Sequence, residues 1–209
     1  LANFTAHHDV SAGAGAANVS ANQIVFGPQL QPFEITEQAR GMVEGVTGPI
    51  AVDAEITWTR DTLLGGARVD LQGVSLATAT IPIVNDVRGS IYFDDLWQLT
   101  TPPGQEITVG ELNPGITVTN GRVRFQLLTE ERVSIERAEF DFASGALAMA
   151  PTTIRLGADE TRFELTLRDV DAADLLRTLN VPDLNATGQI EGNFPLLLTR
   201  QSAFVQNGV

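Results

Sequence analysis

Val52-Asp53-Ala54-Glu55-Ile56-Thr57-Trp58 alternates apolar and polar residues without a break. Successive strand residues point to opposite faces, so this period of two describes a strand with one face turned from water. The same rhythm recurs along the chain. Ala67, Val69 and Leu71 alternate with Arg68 and Asp70, and Ile91 and Phe93 flank Tyr92. Val123, Phe125 and Leu127 alternate with Arg124 and Gln126, and Phe163, Leu165 and Leu167 with Glu164 and Thr166. Ile190, Phe194, Leu196 and Leu198 repeat the theme near the end. Within 133–142 the apolar phase slips between Ile135 and Ala138, as a β-bulge would make it do. Strand follows strand over short connections, which predicts an all-β, mainly antiparallel fold.

The connections carry their own chemistry. Asn120-Gly121 reads as a type I′ hairpin turn, because both residue types accept positive φ. Ser144-Gly145 and residues 157–160 read as two further turns. Phe204–Val209 repeats the form of Val118–Val123, so a second hairpin at Asn207-Gly208 is expected, with the natural chain continuing beyond Val209. One short helix is marked near residues 171–179. Asp171 is its cap, Asp174 the reciprocal acid and Val170 with Leu175 a hydrophobic staple. Leu175, Leu176 and Leu179 form its apolar face, and Asn180 and Pro182 end it. Residues 31–48 hold Pro32, Gly41, Gly45 and Gly48 and little alternation. They read as a loop or crossover with a helical turn near 36–40, and as the candidate seam between two strand groups. No linker is rich enough to mark a domain boundary, so residues 1–209 are expected to be a single β-rich fragment of a larger protein.

Composition narrows the function. The 209 residues are 43% hydrophobic and only 19% charged, with a net charge of −13. All 13 basic residues are arginine. Phosphate backbones and anionic membrane surfaces are met by clustered Lys and Arg, so nucleic acid is excluded as a partner and a polybasic membrane patch is absent from the sequence. Without cysteine there is no disulfide, thiolate zinc site or thiol catalysis. No apolar run approaches the roughly 18 residues of a membrane span, and no signal peptide is visible. The chain opens on Leu1 rather than Met, as an excised piece would.

No catalytic constellation emerges. His7 and His8 are adjacent, so on a strand they face opposite ways and read as a solvated pair. The acid pairs Asp94-Asp95, Glu130-Glu131 and Asp159-Glu160 fall in turns, whereas glycoside hydrolysis needs two acids facing across a cleft. Asp169, Asp171 and Asp174 resemble a loose calcium set but lack the sharp glycine turn, and capping accounts for two of them. The reading is therefore of a protein that is not an enzyme, with no metal and no cofactor. What remains is an apolar face, assigned by phase to Val52, Ala54, Ile56 and Trp58, then Val69 and Leu71, then Ile91 and Phe93. It continues through Val123, Phe125 and Leu127, then Phe140 and Phe142, then Phe163, Leu165 and Leu167, and ends with Ile190, Phe194 and Leu196. Two such faces can seal each other in a closed structural or adhesive β-domain. Alternatively, one face can stay open and hold something apolar.

Several phrases in order add to this. Gly89–Leu99 followed by Thr100-Thr101-Pro102 resembles the YdbH-type domain of the AsmA-like superfamily of bacterial envelope proteins. Glu111–Gly115 with Val118–Arg122, Ile135–Ala138 with Ser144–Leu147 and Pro151, Val170-Asp171 with Leu175, and Asn185–Gly192 with Pro195 are similar to successive elements of that domain. Ser144 stands where the family more often has a second glycine. The ordered resemblance spans residues 87–199; residues 1–86 match only in style. It implies a long sheet curled into a half-pipe whose apolar interior carries phospholipid acyl chains between inner and outer membranes. It implies a periplasmic location in a Gram-negative bacterium, an inner-membrane tether, and as partners the remaining segments of the same protein and other envelope proteins. A dicarboxylate-transport role has also been attached to the domain; no arginine cluster suited to small diacids is visible in the sequence. A sheet of about a dozen strands would extend roughly 55–60 Å, so an elongated particle is expected.

Overall fold

The computed structural model describes residues 2–78, 81–181, 183–199 and 203–205. Among these, thirteen strands form one sheet. In chain order they are β1 (Ala2–Asp9), β2 (Ala14–Phe26), β3 (Glu44–Trp58), β4 (Leu63–Ala77), β5 (Ile83–Phe93), β6 (Gln105–Asn113) and β7 (Val118–Leu128). There follow β8 (Arg132–Phe142), β9 (Gly145–Met149), β10 (Thr152–Arg155), β11 (Glu160–Asp171), β12 (Gln189–Thr199) and β13 (Ala203–Val205). Each strand pairs antiparallel with the next, except that β9 and β10 both lie along β8 and β11 continues the sheet from β9. Among the described residues the sheet is open, with no second sheet packed across it. The all-β, antiparallel expectation therefore holds, and the sealed two-sheet arrangement is not what forms.

A line of irregularities crosses the sheet at one level and creases it. Gly48, Gly73, Asp86 and Asn120 have φ of 113°, 94°, 53° and 52°. The ladders slip between Thr47 and Ile50, Gln72 and Val74, and Thr119 and Arg122. A Cβ on Gly48 would lie 2.8 Å from the Gly73 carbonyl oxygen, so the two strands come too close there for a side chain. Bulges bend a strand and sharpen its twist, and a row of them bends the whole sheet. Asn120-Gly121 belongs to this crease. The hairpin expected there does not form, because residues 118–128 make one continuous strand. Asn120 does take the positive φ its residue type allows, but it spends it on a bulge, where its amide donates to Asp141 Oδ2 at 2.8 Å. The bulge expected between Ile135 and Ala138 is present: Arg124 faces Arg137 but Phe125 faces Ile135, leaving Glu136 extra.

The β8–β9 turn is made by Ala143 and Ser144, both at positive φ, one residue before the expected pair. Helix α1 (Pro32–Ile35) and a 3-10 turn at Glu37–Ala39 occupy part of the segment 31–48. From Glu44 that segment is already strand, so its last two glycines sit in β3 and not in a loop. The strands on either side of it, β2 and β3, are hydrogen-bonded neighbours. The Gln31 side chain ties the excursion down, donating to Gly27 O and Val46 O and accepting from Val46 N. Helix α2 (Ala172–Thr178) starts as expected, with Asp171 accepting from Asp174 N at 2.9 Å. The reciprocal half of the cap is absent. The Asp174 carboxylate instead binds the Ser144 hydroxyl and Arg177. Pro182 and the repeat at Asn207-Gly208 lie outside the described residues.

Candidate functional site

Directly opposed residues of antiparallel strands share a face, so pairing can be followed across the sheet. Ile24 faces Ile50, which faces Leu71, then Gly89, Ile107, Val123, Ala138, Met149, Leu165 and Phe194. This row crosses ten strands and contains no polar side chain. Parallel rows flank it. One runs Ala21–Val52–Val69–Ile91 and another Val74–Val87–Val109–Gly121. A third runs Phe140–Leu147–Leu167–Gly192. Gly121 is required where it stands: a Cβ there would sit 2.3 Å from the Phe140 ring, which lies over it.

The register puts all the apolar-face positions expected from phase on this same surface, and none of them is exposed. Phe125, Phe140, Phe142, Leu165 and Leu167 are buried in the central cluster. Val52, Val69, Leu71, Ile91, Val123, Leu127, Phe163, Ile190, Phe194 and Leu196 are partly covered and pack against it. Ala54, Ile56, Trp58 and Phe93 lie beyond the cluster toward the outer ends of β3 and β5, half-buried. There Trp58 stacks on His8 and donates to its Nδ1 at 3.1 Å, while His7 and His8 are both exposed, as expected of a solvated pair.

Phase reading missed the residues beyond the crease. Val46, Ile50, Val74, Val84, Val87, Val109 and Val118 are among the most buried in the protein. Their apolar spacing jumps from two to three, as between Leu71 and Val74 or Val84 and Val87. The available signal is a Gly, Asn or Asp in the gap, each tolerant of positive φ.

Toward β8–β12 the face deepens into a cleft of about 500 Å³. Its base is Phe140, Leu147, Met149, Phe163, Leu165 and Leu196, and its rim carries Ile81, Ile116, Ile154, Leu156 and Leu179. Arg155 is the one charged residue lining it among the described residues. Chemically such a cleft can exclude water and hold hydrocarbon. Among the described residues its polar side chains are Thr78, Arg155 and Thr161.

The other face of the sheet is polar. Arg68 bridges Asp70 at 2.9 Å, and Ser90 also donates to Asp70. The Ser90 hydrogen bond is the main reason the Asp70 carboxyl is held below its ordinary value; Arg68 adds to the effect and partial burial opposes it. The acid pairs are scattered. Asp94 accepts from the Thr100 hydroxyl, Asp95 from the amides of Trp97 and Gln98, and Glu130 lies in the β7–β8 turn at positive φ.

An open antiparallel sheet with one unbroken apolar face and one polar face defines a β-trough protein. The chain belongs to the YdbH-like family, described as intermembrane phospholipid transport protein YdbH, which matches over residues 3–209. The match thus takes in residues 3–86, where resemblance by phrase was only stylistic. No curated protein and no solved structure matches the chain. The family places the protein in phospholipid transport between membranes of the cell envelope. No helix among the described residues is long and apolar enough to cross a membrane.

Proposed function

We propose that the concave apolar face is the path itself. Acyl tails lie across the strands against the row from Ile24 to Phe194, while head groups stay at the water-facing margin. The observation that carries this reading is the continuity of that row over ten strands. Each methylene withdrawn from water contributes about 0.8 kcal/mol, so a tail has reason to stay. Successive strands present similar side chains, so it has little reason to stop at any one. In this reading the chain is one segment of a periplasmic bridge. Further segments of the same protein extend the trough, an inner-membrane tether holds one end, and other envelope proteins meet it. The residues expected from phase, Val52 to Leu196, are its lining.

The test is site-specific photo-crosslinking. A photoreactive side chain at Val123 or Ile107, on the apolar face, should capture phospholipid from cells; one at Asp53 or Glu55, exposed on the polar face of β3, should not. Equal capture from both faces, or from neither in a folded protein, would overturn the proposal. Absence of fluorescent phospholipid binding by the purified, folded chain would count against it in the same way.

A further inference from the structure

The polar face carries a second feature, unrelated to the apolar row. Five of the 13 arginines, Arg88, Arg122, Arg124, Arg137 and Arg168, gather on β5, β7, β8 and β11. Sequence reading could not see them as a cluster, because they lie on four strands and only the register assembles them. Arg88 faces Thr108, and Thr108 faces Arg122. The three residues thus occupy facing positions on successive strands, which lie about 4.8 Å apart, with the Arg88 guanidinium turned toward Gly73 of β4. They border a recess of about 680 Å³ that Arg124 and Arg137 also line.

The ion pairs leave one of these cations over. Asp86 holds Arg88 at 2.7 Å, and Glu136 holds Arg124 at 2.9 Å. Glu139 lies directly opposite Arg122, but Arg137 takes it at 2.8 Å and Arg168 approaches it at 3.6 Å. Arg122 has no ion-pair or hydrogen-bond partner among the described residues. Glu106, opposite Arg124, is the remaining carboxylate at the recess. The lining of the recess itself holds four arginines against two carboxylates, Glu106 and Glu139, on a chain whose total charge is −13. Exposed ion pairs contribute little, so Arg88 and Arg124 can swing toward a stronger acceptor. Forked guanidinium groups beside a hydroxyl suit the oxygens of a tetrahedral phosphate, which accepts paired charge-assisted hydrogen bonds.

We propose that this recess is a phosphate-binding site, with Arg122 as its central ligand and Arg88, Thr108 and Arg124 around it. The phosphate is either a free anion or a head group presented at a lipid surface. The proposal does not depend on the apolar face being a lipid path.

The experiment is an NMR titration of the 209-residue chain with inorganic phosphate, matched for ionic strength with chloride. A sedimentation arm uses vesicles of phosphatidylcholine with and without phosphatidic acid. Phosphate should shift the resonances of Thr108 and Arg122 at millimolar concentration, and Arg122→Gln should weaken binding about tenfold, as removal of a charged hydrogen-bonding group does. Arg40→Gln, on the 31–48 excursion, should change nothing. Thr108→Val, isosteric and on the same strand row, gives a second reading should Arg122→Gln fold poorly. Phosphate shifts with sedimentation only on phosphatidic acid would support the site with a head group as its ligand. Shifts without sedimentation would support it with a free anion. Shifts no larger than chloride gives, or equal binding by Arg122→Gln and the parent chain, would overturn it.

Discussion

Gly121 shows how tightly single positions are specified on the apolar face. With a Cβ position 2.3 Å from the Phe140 ring, Gly121→Val must displace that ring, and overpacking of this kind costs about 1–3 kcal/mol. Gly27→Ala, with nothing within 4 Å of the added carbon, should cost far less; urea midpoints compare the two. Depth separates residues of one row in the same way. Phe125 and Leu165 are 5% and 9% exposed, so an aspartate there buries an unpaired charge and should unfold the sheet locally. At half-buried Val123 an aspartate can reach water, and Val123→Asp should keep the fold while losing lipid capture; circular dichroism with crosslinking reads both. On the polar face, Ser90→Ala should raise the Asp70 carboxyl toward its ordinary value, measured by NMR titration. Because Asp70 is depressed in the folded protein, it adds stability above the unfolded carboxyl value. That contribution is lost as pH falls through the folded one. Ser90→Ala should therefore narrow the acid range over which the protein stays folded.

Elements were legible wherever their apolar phase ran unbroken, as in residues 52–58 and 163–167. They were illegible where a bulge reset it. Asn120-Gly121 is instructive: Asn120 takes the positive φ that its residue type suggests, but inside a continuous strand and not in a turn. A turn and an in-strand bulge ask the same of their residues, and only pairing with β6 and β8 distinguishes them. The expected consequence is specific: Asn120→Val, with a branched side chain at φ 52°, should cost about 1–3 kcal/mol. Asn120→Gly, relieved of strain but deprived of the Asp141 bond, should stay near the parent; thermal melts decide. Helix α2 was legible because Asp171 has a local job, and Asp171→Ala should cost about 1 kcal/mol. The recess around Arg122 was not, because nothing local joins residues 88, 108 and 122.

At the scale of the whole molecule, surface area reports the shape. A compact protein of 22.4 kDa exposes about 9400 Å²; this one exposes 12220 Å². An open sheet leaves uncovered what a sandwich would seal. Small-angle scattering should accordingly give a radius of gyration a few ångströms above the roughly 17 Å of a compact chain of this length; a value at or below that would contradict the trough shape.

The ladder joining β9 to β11 has a further consequence, for how the molecule comes apart. That ladder has four residue pairs, from Leu165–Met149 to Arg168–Ala146, with one backbone hydrogen bond beyond each end, Ala150 N to Glu164 O and Asp171 N to Ala143 O, and β10 contributes none to it. Every other long strand is held by longer ladders, so β11, β12 and helix α2 form a leaf on a short hinge. Cooperative units of different stability open separately and exchange their amide protons at different rates. Native-state hydrogen exchange should therefore resolve two opening events, the leaf first and β3–β8 last, with the boundary falling between Met149 and Leu165.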